Sequence, residues 1–508
     1  MIPSSILPLA LVSTVLQQLA TVTTLSAQPC QNLHQDLLQR LTRFFTQPLT
    51  PQATYDFEID LRQLLDRCGQ QILEAALNHL EPEQPCDIPK HGERDGYDYC
   101  RKNQKSLNRG GLATLFGIIS LQRCLYEPLQ EARDEDQTSF APLEVNLGVV
   151  AANATPALAE RVGLLASQHT QQEVLDILKR DHHVGWSTSV LRKVTAAVSE
   201  GIAIYVQAAR KKCLLGWLAQ AFQSRGRHRV VLCVGRDGLM LPIRGEPTYK
   251  EGAVATVSVY DRRGRRLGTV YLAEMPEAYQ VSLSSTLTEL LQEVLQAWEG
   301  PLPRLVYVTD AGYHPTMYYR EVLECLEHPR RPGQRLAWTW IVDFYHASSY
   351  VSQLAEALFG EGKARQAWSR QMRHLLLKDE HGWFRVLHSA AYYHNQKILG
   401  AKQEKSYEEA YAYLSKHGEW MAYACYRRQG LPIGSGVTEA GCKIVFTQRF
   451  KESGMTWGKA GGAVILQLRV AVLSGVWEEV YPAYLRNRPR VKLATQYGSN
   501  GQSNGKVA

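Results

Sequence analysis

RVVLCVGRDGLML (229–241), AVATVSVYD (253–261) and RLGTVYLAEM (266–275) are three runs rich in β-branched and apolar residues, separated by turn signals. DRRG (261–264) sits between the second and third as a hairpin turn. The helical pattern STLTELLQEVLQAWEG (285–300) follows, with Thr286 and Glu289 spaced as a capping box. Next come the apolar strand LPRLVYVTDAG (302–312), the helix TMYYREVLECLE (316–327) and the strand AWTWIVDFYHA (337–347). A three-strand meander followed by alternating helix and strand is the order of a ribonuclease-H-like mixed sheet. Neither GxGxxG nor a phosphate-cradling Gly-rich loop occurs, so nucleotide-binding folds are not favoured.

Outward from this block, residues 350–430 contain no strand pattern and read as an α-helical insertion. LPIGSGVTEAGCKIVFTQRFKESGMTW (431–457) and the helix AGGAVILQLRVAVLSGVWEEVYPAYL (460–485) return the chain to the core, and 491–508 read as a flexible tail. Upstream, 1–82 read as a helical region, because DFEIDLRQLLDRCGQQILEAALNHL (56–80) places its apolar residues at helical spacing. Residues 83–150 read as loop and β-hairpin, with LATLFGIISLQRCLY (112–126) turning near Gly117. Residues 151–225 are helical: Thr170 and Glu173 cap one helix, a break follows at His182–Gly185, and a second helix starts at Ser187. This is a helix-turn-helix outline or an ordinary helical hairpin. The fold class expected is therefore α+β or α/β and multidomain. A helical N-terminal DNA-binding region with a small β-hairpin precedes a ribonuclease-H-like core, residues 226–349 and 431–490, which the helical insertion interrupts.

The chain has 508 residues, 45% hydrophobic and 21% charged, which excludes a disordered, collagenous or disulfide-scaffold protein. Its 57 Lys+Arg against 49 Asp+Glu give a net charge of +8, which permits a polyanionic partner. Ten scattered cysteines without a CxxC pair read as reduced thiols in a cytoplasmic protein. Residues 1–35 carry no Lys, Arg, Asp or Glu; ILPLALVSTVLQQLATVTTLSAQ (6–28) reads as a packed helix, a start placed too far upstream, or a signal h-region without its basic flank. Gln17 and Gln18 interrupt the run, so no membrane span is expected.

Charge is concentrated locally. Arg192 and Lys193 on the second helix of the pair are candidates to face phosphates. Residues 201–236 hold Arg210, Lys211, Lys212, Arg225, Arg227, Arg229 and Arg236 with no acid, a field suited to a phosphate backbone or a solvated basic face. Asp237 and Asp310 each end an apolar run, where α/β-type sheets place ligands. Two carboxylates on neighbouring strands repel unless a cation lies between them, and hard oxygen donors suit Mg²⁺ or Mn²⁺. Glu439, opening a helix after Gly434-Ser435-Gly436, is the third ligand, with Lys443, Arg449 and Lys451 further along for phosphate. Two ions in such a cage serve phosphoryl transfer. Trp457 reads as a packing residue.

GSGVTEAGCKIVFTQRFKESGMTW (434–457), then a helix and LSGVWEEVY (473–481), resembles the C-terminal signature of ISKra-type insertion-sequence transposases. RDGLML (236–241) and VTDAGYHP (308–315) resemble that family's first and second Asp strands, and DFYHA (343–347) the following strand-helix junction. LRQLLDRCGQQILEAALNHL, LATLFGIISLQR and the paired helices near 171–198 fall in the family's order, so the likeness spans roughly 50–485. It implies a DDE triad of Asp237, Asp310 and Glu439 on a ribonuclease-H-like fold, binding of element ends and target DNA, metal-dependent strand cleavage and transfer, and assembly as a homo-oligomer. Asp343 and His346 would lie beside the triad. Relatives often carry CxxC pairs flanking the hairpin; here only Cys86, Cys100 and Cys124 remain, with His91 nearby, so a structural zinc is not expected. The alternatives are a nuclease without strand transfer and a catalytically inactive DNA-binding regulator.

Overall fold

The computed structural model describes residues 31–94, 97–129, 138–452 and 454–491. The readings of residues 6–28 and of the tail beyond 491 lie outside them. The chain divides into two compact units, Met1–Val198 with Tyr484–Ala508, and Ser199–Ala483.

The first unit is mainly helical. Residues 31–46 and Pro51–His79 form its opening helices; Thr50 caps the second through Ala53 N–H, and proline occupies its first turn. The expected hairpin forms from Leu112–Thr114 and Gly117–Ile119. The polar stretch before it is more ordered than its composition suggested: its strands His91–Arg94 and Tyr97–Arg101 make a three-stranded sheet with Tyr126–Pro128 from beyond the hairpin. Leu112, Ile119, Leu121, Leu143 and Val149 form a small core with Leu73 and Leu77 of the long helix. The capping box at Thr170 and Glu173 is present at both hydrogen bonds, 3.2 and 2.8 Å, and opens Gln171–His182. The next helix, α1 (Thr188–Gln223), does not stop after three turns; it is 36 residues long.

The second unit is built on a mixed five-stranded sheet of β1 (Val231–Leu241), β2 (Lys250–Tyr260), β3 (Arg266–Glu274), β4 (Arg304–Thr309) and β5 (Trp338–Val342). Its order is β3-β2-β1-β4-β5. β1, β2 and β3 are antiparallel; β4 and β5 run parallel to β1. The period-two alternation of β1 divides its side chains between two cores. Leu232 and Val234 join one with Leu214 and Leu218 of α1 and Leu287 and Leu291 of α2 (Val281–Ala297). Val231 and Cys233 join the other with α3 (Phe344–Phe359), α4 (Lys363–Lys378), α5 (Gly382–His394) and α6 (Ala401–His417). The insertion is thus the cover for that face of the sheet. α7 (Gly436–Cys442) and α8 (Lys459–Leu473) complete the unit.

The sequence expectation fails at α2. The helix begins at Val281, so Thr286 lies inside it and makes no cap. The Glu277 carboxylate reaches forward to accept Ser282 N–H at 2.8 Å and Leu283 N–H at 3.2 Å, which satisfies the first turn from outside the predicted box. Among the described residues, no single helix is long and apolar enough to cross a membrane.

Candidate functional site

The register of the parallel strands builds the site. Val308 of β4 pairs with Gly235 of β1 as the last rung of that ladder, so Asp310 and Asp237 each stand two residues past it, level by count along the two strands. Thr309 pairs with Val342 of β5, and Asp343 N–H donates to Thr309 O at 2.8 Å, which sets Asp343 on the same level. Asp310 and Asp343 follow the ends of their strands as expected. Asp237 does not: β1 runs four residues past it to Leu241, paired with β2 throughout. What ends near Asp237 is its other neighbour, β4, so at Asp237 β1 is paired with β2 alone.

The loop Gly434-Ser435-Gly436 brings in the fourth acid. Asp343 is fully buried and accepts from Tyr345 N–H, from His346 N–H at 3.0 Å, from Ser435 N–H and from the Ser435 hydroxyl. The same hydroxyl lies 2.9 Å from Glu439 Oε1. Asp343 therefore caps α3 and pins the loop that carries Glu439; it acts through Ser435. On the next turn of α7, the Cys442 thiol donates to Asp237 Oδ2 at 3.4 Å. Thr438 between them is buried, shares a 2.8 Å hydrogen bond with Thr256 of β2, and sits where any Cβ on Gly235 would collide with its Oγ1. Only glycine allows α7 this close to β1.

Asp310 is fixed through its backbone. Tyr413 of α6 donates to Asp310 O at 2.7 Å, and Gly312 N–H closes a 2.9 Å bond on Asp310 Oδ1. Ala311 between them holds φ at 63°, a left-handed conformation costly for alanine. The helical insertion thus reaches the site through Tyr413. Ser435, Thr438 and Tyr413 had no signal in the sequence that separated them from other polar residues.

Asp237 and Asp310 are half-buried and Glu439 is exposed. Burial pushes the Asp237 carboxyl up to about 6, and the nearby charges of Asp310 and Glu439 push the same way against the Gly238 N–H and Cys442 donors. Burial and the Asp237 charge push the Cys442 thiol well above its usual range. Among the described residues no three His, Cys, Asp or Glu side chains close to metal-ligand distance. The oxygen donors nevertheless fit a hard divalent cation. Asp237 is desolvated beside like charges, and Asp237, Asp310 and Glu439 bring hard oxygens that form no ion pair with Lys or Arg among the described residues.

The expected phosphate contacts fare unevenly. Arg210 is only 6% exposed, and burial lowers its guanidinium to about 10; it cannot reach a backbone phosphate at the surface. Arg449 is also buried, under the Trp457 ring at 5.0 Å, and Trp457 packs on Phe450. Arg236 is buried against Tyr318 and donates to Ser284 and Gln280. Lys211 pairs with Glu293 at 3.3 Å and Lys212 with Glu479 at 2.9 Å. Much of the acid-free field of 201–236 is therefore neutralised or buried by distant elements; Arg225, Arg227 and Arg229 stay exposed. Arg192 bonds Gln171 and remains exposed, as do Lys193, Lys443 and Lys451. His346 gives its ring to Tyr350 and Tyr413, 5.3 and 5.6 Å away.

In the first unit, Cys124 is buried, Cys100 half-buried and Cys86 exposed, all as free thiols. No protein-family model matches the chain, and comparison with curated proteins finds no match.

Proposed function

We propose that this protein is a DNA transposase of the ISKra type, acting in the cytoplasm on the ends of an insertion sequence. The reading rests on the convergence of Asp237, Asp310 and Glu439: the charges of Asp310 and Glu439 act on Asp237, and Asp343 and Ser435 hold the helix that carries Glu439. The antiparallel β3-β2-β1 block joined to parallel β4 and β5 supports a ribonuclease-H-like core. Asp237, Asp310 and Glu439 would hold one or two Mg²⁺ or Mn²⁺ ions. When bound, such ions activate the attacking oxygen and stabilise the leaving one. The chain's own residues orient the reaction. Tyr413 and Ala311 fix the Asp310 backbone, Ser435 aims Glu439, and exposed Lys443 and Lys451 offset phosphate charge beside α7. Water would cleave the phosphodiester, and the freed 3′-hydroxyl would then attack target DNA. End recognition belongs to the first unit, and paired ends call for two copies of the chain.

The test is cleavage and joining in vitro, with labelled DNA bearing the ends that flank the gene, Mg²⁺ or Mn²⁺, and Asp310→Asn in parallel. Metal-dependent cutting and joining, both lost in the variant, is the expected result. Cutting without joining would make the protein a nuclease. Binding without cutting in either protein would leave a DNA-binding regulator.

A further inference from the structure

The α4 segment KARQAWSRQMRHLLLK (363–378) carries Lys363, Arg365, Arg370, Arg373, His374 and Lys378 and no acid. Trp368, Met372 and Leu376, spaced four apart, are the stripe it buries against the sheet's cover. The arginines fall beside that stripe. With α3 they line a cleft of about 370 Å³ bounded by Ser352, Arg365, Gln366, Ser369, Arg370 and Arg373. Every wall residue is polar, three are arginines, and none is a carboxylate.

Little on the chain neutralises this cleft. Arg365 lies 3.6 Å from the exposed Glu356, Arg373 donates to the Ser352 hydroxyl, and Arg370 has no partner among the described residues. Three guanidinium groups around one opening repel one another unless an anion joins them. Their planar forks match phosphate oxygens in pairs, and the Ser369 hydroxyl adds a neutral donor, while that of Ser352 donates to Ser348 O at 3.0 Å. The positive charge continues along the outer face of the 16-residue helix, about 24 Å, which suits a polyanion better than a single small phosphate.

Position ties the cleft to the acids. Asp343 caps α3, and Ser352 lies nine residues along it, about 13 Å at 1.5 Å per residue. That length is about four base steps of roughly 3.4 Å. We infer that the α3–α4 cleft is a second, non-catalytic phosphate site that grips the nucleic-acid backbone about four steps from the bond at the carboxylates. The inference deepens the proposed function and rests on it for the identity of the bond.

The experiment is fluorescence anisotropy of the full chain with a labelled 30-base-pair duplex in EDTA, titrated across KCl. In Arg365→Gln/Arg370→Gln/Arg373→Gln, the slope of log K against log salt should shrink by about 2–3, at roughly 0.9 for each phosphate that is no longer neutralised. Affinity at 0.1 M salt should fall roughly 100-fold. The corresponding triple Lys variant should keep most of the slope, and the single Arg370→Gln should lose about 1, which covers a triple variant that fails to fold. An unchanged slope in a folded Gln variant overturns the inference. So does a Gln variant that loses polyglutamate binding and keeps duplex binding, since the cleft would then serve an acidic protein. A wild type that shows the arginine-dependent slope but never cuts refutes the transposase reading and leaves the phosphate site standing; cutting with no slope change refutes the cleft alone.

Discussion

Replacing Asp237 by Asn should stabilise the fold while abolishing the chemistry. The carboxyl is pushed from its ordinary 3.8 to about 6, chiefly by burial and then by Asp310 and Glu439. A carboxyl held that far above its ordinary value carries a penalty of about 3 kcal/mol on the charged native state. Asparagine keeps an oxygen for the Gly238 N–H at 2.7 Å but loses the acceptor of the Cys442 thiol, worth about 1 kcal/mol. The expected net gain without metal is therefore about 2 kcal/mol above pH 7. The sign follows from linkage: the folded carboxyl binds its proton more tightly than the unfolded one, so this group's contribution is complete below about pH 3.8. It is lost as pH rises through about 6. About half the loss falls between pH 5 and 8, so the gap between variant and wild type should widen by about 1.4 kcal/mol over that range. Urea unfolding of the full chain in EDTA, followed by the core tryptophans Trp340 and Trp420, measures it. Adding Mg²⁺ or Mn²⁺ should then narrow the gap by stabilising only the wild type. A variant no more stable than wild type at pH 7.5, or a gap independent of pH, would refute the picture of an uncompensated carboxylate.

Ser435→Ala removes the hydroxyl between Asp343 and Glu439 but keeps the backbone bond; single-turnover cleavage should slow about 10–100-fold with duplex affinity in EDTA unchanged. Gly235→Ala drives a Cβ into Thr438 and should cost about 1–3 kcal/mol, with Thr438→Ala restoring part of it in the double variant; additive losses by urea titration would contradict the contact. Cys86 and Cys325 are exposed, whereas Cys233 and Cys442 are buried with thiols pushed up, Cys233 to about 12. Brief iodoacetamide treatment of the native chain, read by mass spectrometry, should label the first pair and spare the second; rapid labelling of Cys442 would contradict its place under Asp237.

The strand runs were legible because β-branched residues in short apolar stretches between turn signals have few other uses, and β1 to β5 fall where those runs stand. Asp237, Asp310 and Glu439 were legible as candidates only as a set, because a single acid or Asp-Gly pair after an apolar run is more often a turn or cap residue. Asp343 was harder to place: its motif put it near the triad, but its task of holding Ser435 depends on a loop 92 residues away. Cys442 stands one turn from Glu439, yet nothing local says that it faces Asp237. The basic run of 201–236 misled because charge counted along the chain ignores partners from elsewhere. Glu293 and Glu479 arrive from other elements, and Arg210 and Arg236 turn inward.

By itself the sequence determined the five strand runs of the sheet and the helical character of 350–430, since periodicity, turn chemistry and residue type act over a few residues. The tertiary structure alone decided which carboxylates stand level, which helix closes on them and which cations stay exposed. Register between parallel strands and the pairing of distant charges are set by packing across a sheet whose neighbours are far apart in the chain, and no local pattern encodes them.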